Sequence, residues 1–168
     1  MKVEYINPFL SSAVSVFRTM LECELTREGP FIKDGAQPSH EVSGIIGLSG
    51  KAKGTVVLSL DREVALCATE VMLQDRPEGI NSDVTDAVGE LTNMIAGAAK
   101  AQLEQLALSV SLPSVITGKG HCIEFPSAAP PLCIPFDCKW GRVVVEVGLV
   151  EGPRQSAKPA RAAEARVG

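Results

Sequence analysis

Aromatic residues are scarce in this 168-residue sequence: one Trp, one Tyr and five Phe. A core must therefore be assembled from Val, Leu, Ile and Ala. Histidine is scarcer still, with only His40 and His121, and the five cysteines (Cys23, Cys67, Cys122, Cys133 and Cys138) include no C-x-x-C pair. A structural zinc site needs four ligands at a recognisable spacing, and Cys133 and Cys138 with His121-Cys122 are the nearest approach to one. Buried, reduced thiols fit this inventory better. No apolar run approaches the roughly 20 residues of a membrane-spanning helix, and Met1 to Leu10 is too mixed for a secretory leader. These absences predict a cytoplasmic protein that stays out of membranes. There is also no Ser–His–Asp set and no glycine-rich phosphate loop before a helix, so self-contained catalysis lacks its usual parts.

Charge is unevenly placed. The net charge is −4, yet residues 152–168 carry +3 and residues 1–151 carry −7. An acidic body argues against nucleic acid and anionic membranes as partners. The length suits one domain, which we assign to residues 1–151. The basic tail, GPRQSAKPARAAEARVG, has Pro, Gly and Ala without hydrophobic spacing and is expected to be disordered over 152–168.

Along the chain, Asn7-Pro8 offers a cap and first-turn proline for a helix with Leu10, Ala13, Val14, Phe17, Met20 and Leu21 on its apolar face. Its other face carries Ser11, Ser15, Arg18 and Glu22. Cys23 to Phe31 includes a short extended piece ahead of a polar loop from Lys33 to Ser39. His40 to Ser49 and Thr55 to Leu60 alternate about the turn SGKAKG, as a β-hairpin does. Gly and Ser on one side of it predict a close-packed neighbour. Asp61 caps a helix to Gln74. After Leu106 the period becomes two: Leu108, Val110 and Leu112 alternate with serines, Pro113 marks an edge or bend, and Val115 to Thr117 extends. His121 to Phe125 is a strand candidate, the segment PSAAPP a linker. Leu132 to Lys139 and Val143 to Val150 flank the turn at Trp140-Gly141. The pattern predicts an α+β fold, a mixed or antiparallel sheet with long amphipathic helices packed on one face.

The chain is organised around the segment from Asp83 to Leu106. Val84, Ala87, Val88, Leu91, Met94, Ile95, Ala98, Leu103 and Leu106 form one stripe at helical spacing. Asp83, Asp86, Glu90, Asn93, Gly97, Lys100 and Glu104 form the other. Asn81 or Ser82 can cap it, and Asp83 and Asp86 suit the positive end of the helix dipole. Glu90 and Asn93 lie one turn apart and project side by side. Asn is a mediocre helix former, and Gly97 costs about 1 kcal/mol relative to Ala. A face meant only for water would more naturally carry Lys, Gln or Ala. Gly97 leaves a flat spot where another backbone could approach, so this is a docking ridge bearing an acid and an amide.

An E-x-x-N pair alone is a common accident. The longer run Asp86-Ala87-Val88-Gly89-Glu90-Leu91-Thr92-Asn93-Met94-Ile95-Ala96-Gly97 resembles the signature helix of the CheC/CheX/FliY chemotaxis phosphatases. It resembles the single-site CheX type, because the first helix, read as beginning at Asn7-Pro8, carries no such pair. The resemblance spans roughly residues 1–150, with only this helix specific. It implies a phosphatase acting on the aspartyl phosphate of a CheY-like receiver domain in a response regulator. Asn93 would position the attacking water and Glu90 would pair with the receiver's lysine, while Asp86, Gly97 and Lys100 would serve docking. No cofactor of its own is implied, Mg2+ being supplied by the receiver. Homodimers paired through their sheets are also implied, with Thr117 to Phe125 or later strands as candidate edges. The competing reading is a non-catalytic signalling module that docks on a receiver, or another chemotaxis protein, through the same helix. A small-molecule-binding domain has less support, since no other polar cluster converges.

Overall fold

A computed structural model describes residues 3–33, 39–125 and 130–152. Most of the expected tail, the centre of the polar loop and most of the PSAAPP linker lie outside the described residues. The elements are α1 (Val3–Leu21), β1 (Thr26–Arg27), β2 (Phe31–Ile32), β3 (Val42–Ser49), β4 (Ala52–Leu60), α2 (Arg62–Leu73) and α3 (Ser82–Ala101). A 3-10 turn (Glu104–Leu106), β5 (Ser109–Val110), β6 (Ser114–Thr117), β7 (Leu132–Cys138) and β8 (Gly141–Glu151) follow. The fold is the expected α+β type, its sheet wholly antiparallel among the described strands.

Sheet order is β1-β7-β8-β4-β3-β5, with β2 also on β7 and β6 also on β3. Exchanging β1 for β5, β2 for β6, β7 for β3 and β8 for β4 maps this order onto its own reverse. The sheet thus has an internal two-fold topology, with α1 preceding the strands of one half and α3 those of the other. The helices bury the face carrying Val42, Ile46, Val56, Leu58, Leu60, Ile134, Phe136, Val143, Val145 and Val147.

Several boundaries differ from those the sequence predicts. α1 begins a turn before Asn7-Pro8, because Tyr5 and Ile6 are buried with Phe9 and Leu10, and that burial outweighs the N–H that Pro8 lacks. Met20 is 42% exposed and does not join the apolar face. α3 ends at Ala101 rather than Leu106. There the Gln102 N–H bonds back to the Ala99 carbonyl and the Leu103 N–H to that of Lys100, tightening the chain into the 3-10 turn. His121 to Phe125 supplies only an isolated bridge at Cys122. Asp61 occupies the cap position of α2 without a capping bond. Its carboxylate instead faces His40 Nδ1 at 2.7 Å and accepts from the Arg142 N–H at 2.9 Å.

One close approach sets α3 on the sheet. A Cβ on Gly44 in β3 would lie 2.0 Å from Thr92 Oγ1, 3.0 Å from the Thr92 Cβ and 3.3 Å from the Val88 carbonyl oxygen. Only glycine leaves room for the helix there. The Thr92 hydroxyl is itself satisfied, donating to the Val88 carbonyl at 2.7 Å.

The opposite face of the sheet is more polar. Ser43 and Ser59 are fully buried, 3.2 Å apart, and His121 Nε2 reaches the Ser43 hydroxyl at 2.9 Å. Lys33, from the loop after β2, donates to both carboxylate oxygens of Glu146 in β8, at 3.2 and 3.1 Å. Their side chains are only 5% and 4% exposed. Burial, then the Glu146 charge, pushes the neighbouring Cys133 thiol up to about 12, so it stays protonated at neutral pH.

Two stability outcomes follow. Gly44→Ala should cost about 1–3 kcal/mol in a denaturant titration, since it must lift α3 off β3; an unchanged midpoint would mean the contact is slack. Lys33→Met should cost about 3–5 kcal/mol by stranding a buried carboxylate, and an apolar replacement of both partners should recover most of it.

Candidate functional site

The Asn81 side chain caps α3, its Oδ1 accepting from the Val84 N–H at 3.1 Å. Val84, Val88, Leu91, Ile95 and Ala99 point into the core. This orientation leaves Asp83, Asp86, Glu90 and Lys100 exposed, with Asn93 and Gly97 half-buried on the same side. The five expected site residues therefore share one ridge, about 20 Å from Asp86 to Lys100 at the helical rise. The apolar stripe is narrower than predicted: Met94 is half-buried and Ala98 exposed, while Gly89 and Thr92 are buried.

Polar groups on this ridge are uncommitted. Among the described residues, neither Asp86, Glu90 nor Asn93 has a hydrogen bond or ion pair. Some acids elsewhere are paired, Glu24 with Arg18, Glu41 with Arg62, and Glu63 and Glu70 with Arg76, whereas Glu22, Asp75, Glu78, Glu104 and Glu124 are as open as those of the ridge. An exposed carboxylate and a carboxamide one turn apart can together pair with a cation and orient a water molecule.

Gly97 is free for a different reason from Gly44. A Cβ built on it meets nothing within 4 Å. Nothing inside the molecule requires glycine there.

The sequence did not reveal the wall beside Glu90. A cleft of about 490 Å³ runs between α3 and β6, lined by Thr85, Asp86, Gly89, Glu90, Pro113 and Val115. Pro113 and Val115 approach Gly89 so that a Cβ there would sit 3.6 Å from each. Leu112, expected to alternate inward with Leu108 and Val110, is instead 89% exposed, because β5 and β6 pair with β3 one residue out of step (Val110 opposite Leu48, Ser114 opposite Ile45), a bulge that reverses the alternation. Pro113, expected as an edge or bend, was the one available signal. The thiols and His121 do not assemble: Cys133 lies beside Lys33 and Glu146, while His121 holds Ser43.

Comparisons with known proteins converge on one family. The family model described as chemotaxis phosphatase CheX matches residues 42–137. The chain is 37% identical to the crystallised chemotaxis protein CheX of Vibrio vulnificus, at TM-score 0.81, covering 88% of this chain and 99% of that one. It is 26% identical over 122 residues to the CheY-P phosphatase CheX of Thermotoga maritima, covering 71% of this chain and 79% of that protein. It also resembles a chain in the CheX–CheY–BeF3–Mg2+ complex of Borrelia burgdorferi, at 26% identity and TM-score 0.76, covering 89% of this chain and 100% of that one.

The open space at Gly97 yields a test of its own. Gly97→Ala should raise stability by about 0.5–1 kcal/mol, read as a higher melting temperature, because it adds helix propensity with no clash. A loss of stability would contradict the open geometry.

Proposed function

The chain belongs to the CheX family of chemotaxis phosphatases, and on that footing we propose that it hydrolyses the aspartyl phosphate of a CheY-like receiver domain. The observation that carries this reading is the unpartnered pair of an exposed Glu90 and a half-buried Asn93, one turn apart on one helix. Glu90 pairs with the lysine beside the receiver's phosphorylated aspartate and sets the register of docking. Asn93 then enters the phosphorylation site. Its carboxamide oxygen accepts a hydrogen bond from a water molecule and its NH2 donates towards a phosphoryl oxygen, holding the water in line. The water oxygen attacks phosphorus, the bond to the aspartate oxygen breaks, and the water's proton leaves with inorganic phosphate.

No strong base is required, because a dissociative phosphoryl-transfer transition state asks little proton abstraction from the nucleophile. Charge on the phosphoryl group is offset by the receiver's own Mg2+ and lysine, so this chain needs no metal. Asp86 and Lys100 extend the docking ridge, and Gly97 lets the receiver backbone come close. The sheet edges, β1 with β2 and β5 with β6, carry backbone groups that another copy could pair with, and a homodimer in the cytoplasm belongs to the same reading. A pure docking module would use Glu90 but has no need of an unpartnered amide at Asn93, which favours catalysis over that alternative.

Phosphate release from phosphorylated receiver domains tests the mechanism. Asn93→Ala should remove most of the acceleration, about a hundredfold, while the receiver still binds. Glu90→Ala should weaken both binding and rate, and Gly97→Leu should block approach. A full rate from Asn93→Ala would rule out water positioning by this residue.

A further inference from the structure

We propose that Leu112 and the cleft beside Glu90 form an apolar subsite for the receiver domain, one that selects which receiver docks. This rests on the functional reading above and adds to it a second contact, independent of Glu90 and Asn93.

Leu112 is the most exposed large hydrophobic residue among those described, at 89%. It does not sit on a slack loop. The preceding Ser111 is fastened to β3 twice, its N–H donating to the Gly47 carbonyl at 2.9 Å and its hydroxyl oxygen accepting from the Gly47 N–H at 2.9 Å. The Ser111 hydroxyl also reaches the Leu112 carbonyl at 2.8 Å. The following residue is Pro113, which limits the backbone of Leu112 to extended conformations and packs against α3 at Gly89. The leucine is thus held out from a pinned turn, where burying it inside this molecule is not open to it.

The cleft next to it has two kinds of wall. Pro113, Val115 and Gly89 supply an apolar side, and Asp86 and Glu90 supply two carboxylates without partners. Such a surface suits a segment that carries an aliphatic side chain beside a basic one. Glu90 belongs both to this cleft and to the ridge, one turn from Asn93. A receiver whose lysine reaches Glu90 therefore covers the cleft, and Leu112 immediately precedes Pro113 in its wall. The occupant is the receiver itself, by continuity with the proposed docking surface and by the complementarity of its lysine to the two acids. An apolar contact of this size would also discriminate between receivers, whose lysine is shared but whose flanking residues are not.

The test measures affinity for beryllofluoride-loaded, Mg2+-bound CheY-type receiver domains, together with phosphate release over a range of receiver concentrations. Leu112→Ser should raise Kd and KM about tenfold, the loss lying in KM and not in turnover at saturation. Ile32→Ser, which removes another exposed aliphatic residue (66% exposed) at the opposite sheet edge, should leave receiver affinity as it is. Equal weakening by Ile32→Ser would overturn the subsite, as would an unchanged Kd in Leu112→Ser. A change in oligomeric state without a change in receiver affinity would also overturn it, assigning Leu112 to contact between copies. If the wild-type chain binds no receiver, both readings fall; if it binds and dephosphorylates one that Leu112→Ser handles equally well, only this inference does.

Discussion

The distance between α3 and β3 is the constraint on which the exposed ridge depends. With Gly44 beneath it, Thr92 lies directly against the strand. Residues advance by about 100° around a helix, so Glu90 stands roughly opposite Thr92 and Asn93 roughly a quarter-turn from it. Fixing Thr92 against the sheet thus fixes the rotation of the whole helix. The acid is exposed and the amide is half-buried at the shoulder, as observed. A helix resting on a side chain at position 44 would be raised and free to roll, and the side-by-side projection of the two groups would lose its definition. Catalytic positioning depends on this kind of definition, since the proposed role of Asn93 is to orient a water and not to supply strong chemistry.

The charges on α3 have more than one origin, and position separates them. Asp83 lies in the first turn, where a carboxylate gains from the helix dipole. That effect fades within a turn, so it accounts weakly for Asp86 and not at all for Glu90. Nor are these acids there to make stabilising surface pairs, which contribute little in any case. Such pairs gather elsewhere, around Arg76 and Arg18. Two carboxylates facing a cleft without a cation to neutralise them constitute a standing attraction for a positively charged partner. The partner's charge, rather than the fold, gives them a purpose.

What the sequence made legible followed from periodicity. The start and apolar face of α3, the β3–β4 hairpin, α2 and the β7–β8 hairpin with Gly141 at its turn all emerge from local spacing. So does the ridge, because an amide and a glycine in a helix interior are conspicuous against helix propensity. The misreadings share one cause: a long-range contact overrode a local signal. Pro8 suggested a start, but burial of Tyr5 and Ile6 drew the helix through it. Leu112 matched an inward alternation, but the one-residue bulge between β5 and β6 turned it to solvent. Lys33 lay in a stretch that looked like solvated loop, yet its charge is buried against Glu146, more than a hundred residues later. Nothing in the local sequence of either residue points to the other.

The two-fold topology makes α1 and α3 counterparts, which raises the question of why only one should act. Their exposed faces answer it. On α1, Arg18 is held by both oxygens of Glu24, at 2.7 and 2.9 Å. Ser11 lies 3.1 Å from the Pro8 carbonyl and 3.4 Å from Gln102 Oε1, and the Thr19 hydroxyl returns to the Ser15 carbonyl at 2.8 Å. Those groups are already engaged within the chain. α1 does carry Glu4-x-x-Asn7, both exposed and one turn apart, but in its first turn ahead of Pro8, and Glu4 is already engaged. On α3, among the described residues, neither Glu90 nor Asn93 has a side-chain partner. A scaffold of two-fold topology therefore keeps its packing on both sides, through burial of apolar faces, while an acid and an amide left open together survive on one. Packing and docking are separable demands on a helix, and here they have been met by different halves of one fold.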